Sequence, residues 1–201
     1  MTTDQTTTLT FLERLRKNTA QSHTMLEALP LSSSITKPEV TGAEYKLYLS
    51  LMADVVKDAE ENIYPIISDV VKDLESRKKA HFIEADLAIL NAEVKPSSLP
   101  LSKAKDIISA GFALGIMYVV EGSTLGGRVI LKNIKESLGY GENNGARYFA
   151  GYGGQTGSRW KMFLEVMVEY AEKHNCEDDI IAGADFAFTA ISNHFIENSA
   201  K

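Results

Sequence analysis

The sequence predicts an all-α fold in a single domain, and two observations carry that expectation. Apolar residues return at helical spacing nearly throughout, and no run of alternating strand residues flanked by hairpin turns occurs. A chain of 201 residues can bury one full core, and neither a repeat period nor a second domain is visible. About eight helices fit that length at this periodicity.

Taken in order, residues 1–8, within "MTTDQTTTLT", read as a disordered polar tail, and residues 9–198 as the helical domain. A first helix covers Leu9 to Leu29 and stops near Pro30, followed by the polar loop "SSSITKPEVTG". The second covers Gly42 to Tyr64, with Tyr45, Tyr48, Leu49, Met52, Val55, Val56 and Ile63 as its apolar stripe, and Pro65 breaks it. A third runs to Lys79, a short fourth covers Glu84 to Ala92, and "KPSSLPLS" links them onward. A long central helix spans Lys103 to Leu138. Then comes "GYGENNGARYFAGYGGQTGS", dense in glycine and aromatic side chains, too long for a plain connection and so suspected of function. Helices at Ser158 to Asn175 and Asp178 to Asn198 finish the chain.

Composition excludes several functions. Charged residues at 24% and hydrophobic residues at 44% are globular values, not those of a disordered or membrane chain. A net charge of -6 without a Lys/Arg cluster argues against nucleic acid, whose phosphates need clustered cations. A single cysteine, Cys176, rules out an intrachain disulfide framework and multi-cysteine metal sites, and fits a reducing, cytoplasmic compartment. The start of the chain lacks the basic and apolar regions of a signal peptide. The uncharged stretch Ile107 to Val120 falls short of the roughly 20 residues a bilayer needs, so it reads as a core helix and no membrane partner is expected.

The central helix is odd. In "GIMYVVEGSTLGGRVI" an apolar run through Met117, Tyr118, Val119 and Val120 breaks into glycines at 122, 126 and 127, beside the small polar Ser123 and Thr124. Each interior glycine costs roughly 1 kcal/mol relative to alanine. Either two helices cross closely there, or a kinked helix lays bare backbone against a flat ligand.

Four histidines are present, His23, His81, His174 and His194, none at metal-ligand spacing to another. A metal here would take a single protein ligand. At about 100° per residue, His23 falls at the edge of the first helix's apolar face, between Leu12 and Arg16. Glu27, four residues on, can accept the proton of one ring nitrogen and so orient the imidazole. Arg16 adds a cation on the same flank. A helix-edge histidine also fits a plain surface or core position. "GYGGQTG" lacks the glycine at Thr156 that GxGxxG needs and the GK of a P-loop, Ser123 has no G-x-S-x-G elbow, and Cys176 reads as a bystander.

Three segments in order, "LRKNTAQSHTMLE", "YVVEGSTLGG" and "RYFAGYGGQTGSRWKMF", resemble the bacterial haem oxygenases, especially the type that accompanies bacterial phytochromes. The likeness runs over nearly the whole chain. It implies a haem-oxygenase-like helical fold with haem between a proximal and a distal helix. It further implies that His23 binds the iron as neutral imidazole, that Gly122 and Gly126 bring distal backbone over the haem with Ser123 beside them, and that Tyr118, Gly127 and Glu27 belong to the haem surroundings. Arg16 and either Arg159 or Lys161 would meet the propionates. The family reaction opens haem with O2 and electrons to biliverdin, carbon monoxide and ferrous iron. Haem is then both cofactor and substrate, and the protein supplies orientation. Animal members carry an aspartate where this chain has Ser123, and Arg128 stands where a neutral residue is commoner.

No flavin or nicotinamide motif is present, so electrons must come from an external reductase or ferredoxin-like donor, and a phytochrome is the implied biliverdin acceptor. The alternatives are a non-catalytic haem carrier or sensor with the same fold, and a thiaminase-like use of the architecture on another small molecule.

Overall fold

Thr10 starts the first helix with a reciprocal cap: its hydroxyl accepts the Glu13 amide at 3.3 Å, and its own amide donates to the Glu13 carboxylate at 2.8 Å. Residues 10–92, 98–103 and 108–199 are described by the computed structural model. Among them are eight α-helices and no strand. The expected tail, residues 1–8, lies outside the described residues.

α1 (Phe11–Ala28) buries Phe11, Leu15 and Thr19. Leu29 is extended, as a residue before proline prefers, and Pro30 opens a short α2 (Pro30–Ser34) inside the segment expected to be loop. Thr41 and Glu44 repeat the cap for α3 (Gly42–Asp58). The expected stop at Pro65 is softer than a break: the chain passes through a π turn (Ala59–Ile63) and a 3₁₀ turn (Tyr64–Ile67) that accommodates Pro65 near its start. All of the expected α3 stripe is buried except the half-buried Tyr48.

The third expected helix is only a 3₁₀ turn (Leu74–Arg77), and α4 spans Ala80–Ile89 rather than Glu84 to Ala92. Its start is set from afar, because the Glu60 carboxylate accepts the amides of Lys79 at 2.5 Å and Ala80 at 2.9 Å. Its end is set by Asn91, whose φ of 49° leaves the helical region. Of the linker, Leu101 and Ser102 donate their amides to the buried Asp58 carboxylate at 2.6 and 2.9 Å.

α5 (Ala110–Leu138) begins later than Lys103 because Ser109 caps it, accepting the Phe112 amide at 3.1 Å, and it ends on left-handed Gly139. By length and composition it could cross a membrane, but half of its apolar window is buried in the protein. The loop after it holds α6 (Arg147–Ala150), whose first amides are capped by Asp86 of α4 at 2.9 Å each, and a 3₁₀ turn (Gly153–Gln155). α7 (Thr156–His174) and α8 (Glu177–Ser199) complete the chain.

α8 is the common floor. α5 and α1 both pack along it, while scarcely touching each other, and α7 and α6 flank α5. The α5–α8 crossing is close enough to require glycine. A Cβ on Gly115 would strike the Ile180 carbonyl, and one on Gly183 the Phe112 carbonyl.

Candidate functional site

Through "EGSTLGG" α5 does not break: helix continues across all three glycines, and none has a positive φ. Ser123 and Thr124 turn their hydroxyls onto the carbonyls of Val120 and Glu121, each at 2.7 Å. This back-bonding keeps the small side chains close to the helix. The three glycines then prove unlike. Gly126 is exposed, with no atom within 4 Å of the place a Cβ would take. Gly122 sees only the Trp160 ring, at 3.5 Å. Gly127 is buried, and a Cβ there would lie 2.6 Å from the Phe149 carbonyl oxygen. The close-approach explanation holds at Gly127, expected at the haem, which serves the approach of α6, while Gly126 faces open space.

Across the α8 floor, His23 is half exposed, at 52% of its side chain, and its ring leans on Phe188 of α8 with centroids 5.1 Å apart. Its Nε2 stands 3.2 Å from the Glu27 carboxylate, the i,i+4 partner read from the sequence. Glu27 thus engages one of the two ring nitrogens, Nε2, and the other ring nitrogen is Nδ1.

Arg16 ties α1 to α5. It stands near the Tyr118 phenol, where its charge opposes the burial that pushes that phenol's pKa up. Tyr118 in turn packs on Trp160, centroids 5.3 Å apart. Arg16, Tyr118, Trp160 and Gly122 thus form one continuous wall from α1 through α5 to α7. Trp160 was not singled out from the sequence although both its neighbours were, because the cation expected there directed attention to charge. Those neighbours go elsewhere. Arg159 donates to the Ser76 hydroxyl at 2.8 Å and lies over the Tyr152 ring at 4.7 Å, and Lys161 is exposed beside Glu165 at 3.8 Å. Arg128, uncertain in direction from sequence, donates to the Gly153 carbonyl at 3.0 Å.

Ser123 is exposed on the same strip as Gly126 and near Tyr148, whose phenol pKa is raised first by burial and next by the neighbouring Tyr48. On the opposite side of α5 lies a cluster that sequence reading missed. Glu121, 1% exposed, receives Arg77 Nη1 at 2.8 Å, Lys79 Nζ at 3.0 Å and the Tyr152 hydroxyl at 2.8 Å. Lys79 also stands 2.6 Å from that hydroxyl and donates to the Arg77 carbonyl at 2.9 Å. Burial pushes the Lys79 pKa down, with the Glu121 charge opposing. The signal was present in "SRKKA" and "VVEGS", but their contact spans more than forty positions.

Among the described residues no group of three or more His, Cys, Asp or Glu could hold a metal. A hollow of about 270 Å³ lined by Arg14, Asn18, Asp178, Ile181, Ala182 and Asp185 lies between α1 and α8, away from His23 and the glycines, and offers no metal ligand set or open backbone.

The family described as "Heme oxygenase" matches residues 9–197. The chain belongs to the haem oxygenase family. Its fold is similar to that of the NO- and CO-bound haem oxygenase of Neisseria meningitidis, at 24% identity and a TM-score of 0.78 over 96% of this chain and 94% of that one. It is also similar to the haem oxygenase of Leptospira interrogans (16% identity, TM-score 0.76, 94% of this chain and 100% of that one). Haem oxygenase-1 of the cyanobacterium Synechocystis, solved with haem, follows at 18% identity and a TM-score of 0.75, over 94% of this chain and 92% of that one. Comparison with curated proteins gives no significant match. Haem is the ligand typical of this family, and a half-exposed imidazole such as His23 is chemically suited to its iron.

Proposed function

We propose that this protein is a haem oxygenase that opens haem with O2 and externally supplied electrons, giving biliverdin, carbon monoxide and ferrous iron. The observation that carries the reading is the exposed strip on α5, where Gly126 leaves room for a flat ligand against bare backbone. Family membership and the half-exposed His23 on α1, packed on Phe188 of α8, support it.

In this reading His23 would hold the iron through one ring nitrogen while Glu27 holds the other, fixing tautomer and ring direction. Haem supplies the iron that activates oxygen and the ring that is consumed. Arg16, through Tyr118, presents a cation on the α1 side that would meet a propionate. Gly126 would admit the ring beside Gly122 and its Trp160 neighbour, and Ser123, its hydroxyl turned onto the Val120 carbonyl, offers the strip's small polar group. A close, weakly polar wall acts by positioning rather than by charge, which suits a reaction whose outcome is a choice of ring carbon. A separate reductase or ferredoxin-like protein would deliver the electrons. The segments "YVVEGSTLGG" and "RYFAGYGGQTGSRWKMF" support the phytochrome-associated branch, with a phytochrome as acceptor of the bilin.

The test is a turnover experiment on the one-to-one haem complex with ascorbate or a reductase in air. Loss of the Soret band, growth of a red-absorbing bilin and trapped carbon monoxide are expected. A complex that is reduced and simply autoxidises would make the chain a carrier or sensor and overturn the proposal.

A further inference from the structure

We infer that the buried cluster Glu121, Arg77, Lys79 and Tyr152 sets the rotation of α5 about its axis, and so determines which haem ring carbon the distal strip exposes to attack; this rests on the haem-degrading reading above.

The argument begins with helix geometry. At about 100° per residue, positions two apart lie on nearly opposite sides of a helix. Glu121 points inward at 1% exposure while Ser123 and Gly126 are exposed, so each degree by which Glu121 turns is a degree by which the strip turns. The carboxylate has little freedom. Both oxygens are engaged, one by Arg77 at 2.8 Å and the other by Lys79 at 3.0 Å, and the Tyr152 hydroxyl reaches them at 2.8 and 3.0 Å. Arg77 is itself fixed by Asp73 at 2.8 Å and by the Arg159 carbonyl at 3.3 Å. Two separate pieces of chain thereby grip one side chain, the turn before α4 and the loop carrying Tyr152, and the start of α7 holds Arg77 from behind. Two charged hydrogen bonds on a buried carboxylate are far more directional than the apolar packing elsewhere along α5. The glycines sharpen the need, since Gly122 and Gly126 carry no Cβ with which the strip could lock against its neighbours. These are positioning residues, acting through the backbone they hold.

Two variants test this. Tyr152→Phe removes one hydroxyl and leaves the charges paired; Glu121→Gln keeps the shape and removes the charge. Bilin isomers from turnover are separated by chromatography, and the carbon monoxide stretch of the reduced haem complex reports the distal surroundings without turnover. A roughly fivefold rise in the share of the minor bilin isomer, equivalent to ~1 kcal/mol between the two orientations, is expected in Tyr152→Phe, with a shifted or split stretch, and Tyr152→Trp should not restore the wild-type values. If Glu121→Gln does not fold, Tyr152→Phe decides alone. Wild-type isomer ratio and wild-type stretch in a folded Tyr152→Phe would overturn the inference. Failure of the wild type to make any bilin is a different result: it removes the oxygenase reading, and the stretch still decides whether the cluster sets the distal wall.

Discussion

Gly126 and Gly127 are neighbours in one helix, so replacing each by alanine separates steric surroundings from intrinsic propensity. Both variants gain the same helix preference, about 1 kcal/mol. At Gly126 nothing lies within 4 Å of the added methyl, so the gain should appear in full. For a chain of this size that raises the melting temperature of the haem-free protein by about 2–4 °C. At Gly127 the methyl would sit 2.6 Å from the Phe149 carbonyl oxygen and 3.4 Å from its carbon, both backbone atoms that cannot swing aside. Overpacking of that kind costs about 1–3 kcal/mol. Because the propensity term is shared, the difference between the two variants should be that same ~1–3 kcal/mol, with Gly126→Ala the more stable. Thermal melts and denaturant titrations on haem-free protein measure it, and haem titrations on Gly126→Leu complete the set: the larger side chain should weaken or misorient haem without unfolding the protein. Equal stability of the two alanine variants would refute the assignment of sides. A Gly126→Leu protein with a lowered melting point and undiminished haem affinity would refute the reading of Gly126 as open ligand wall.

His23→Ala should change haem-free stability by no more than about 0.5 kcal/mol, since the side chain is half exposed, while the haem complex loses its strong-field spectrum; an unchanged spectrum removes the ligand assignment. Gly115→Ala and Gly183→Ala place a methyl against backbone at the α5–α8 crossing, and each should lower stability by about 1–3 kcal/mol or more, read by chemical denaturation; neutral outcomes would mean the helices can part. Glu44 is held below the ordinary glutamate value of 4.5, first by its bond to the Thr41 side chain and then by the Thr41 amide. A lowered folded-state pKa means its contribution is complete above that ordinary value and disappears as pH falls through the folded one. The melting-temperature gap between wild type and Glu44→Gln should therefore close in acid, and a gap that is constant with pH would contradict the cap.

Much of this arrangement was legible because it is local. The α3 stripe follows helical period, and the His23–Glu27 contact is an i,i+4 pair. What sequence could not supply was set by partners far along the chain. α4 starts early because Glu60 caps it, and Gly115 and Gly127 need glycine because of Ile180 and Phe149. Arg159 looked like a cation awaiting an anion, but Ser76 and Tyr152 hold it. Trp160, the side chain that does face Gly122, carries no charge to draw attention.

The two sides of α5 answer each other energetically. A helix segment with glycines at 122, 126 and 127 gives up roughly 3 kcal/mol of propensity, and its exposed face offers no packing in return. Left to local preferences it would be the weakest stretch of the core. Opposite that face, Glu121 is buried among Arg77, Lys79 and Tyr152, an arrangement that is a poor source of net stability but fixes one geometry strongly. Gly127 meanwhile lets the Phe149 backbone approach where a side chain would hold it away. The helix can therefore remain bare toward the ligand because its back is tied by directional contacts rather than by propensity. A sequence that breaks a local rule at one face and spends buried charge on the other is what a ligand wall requires.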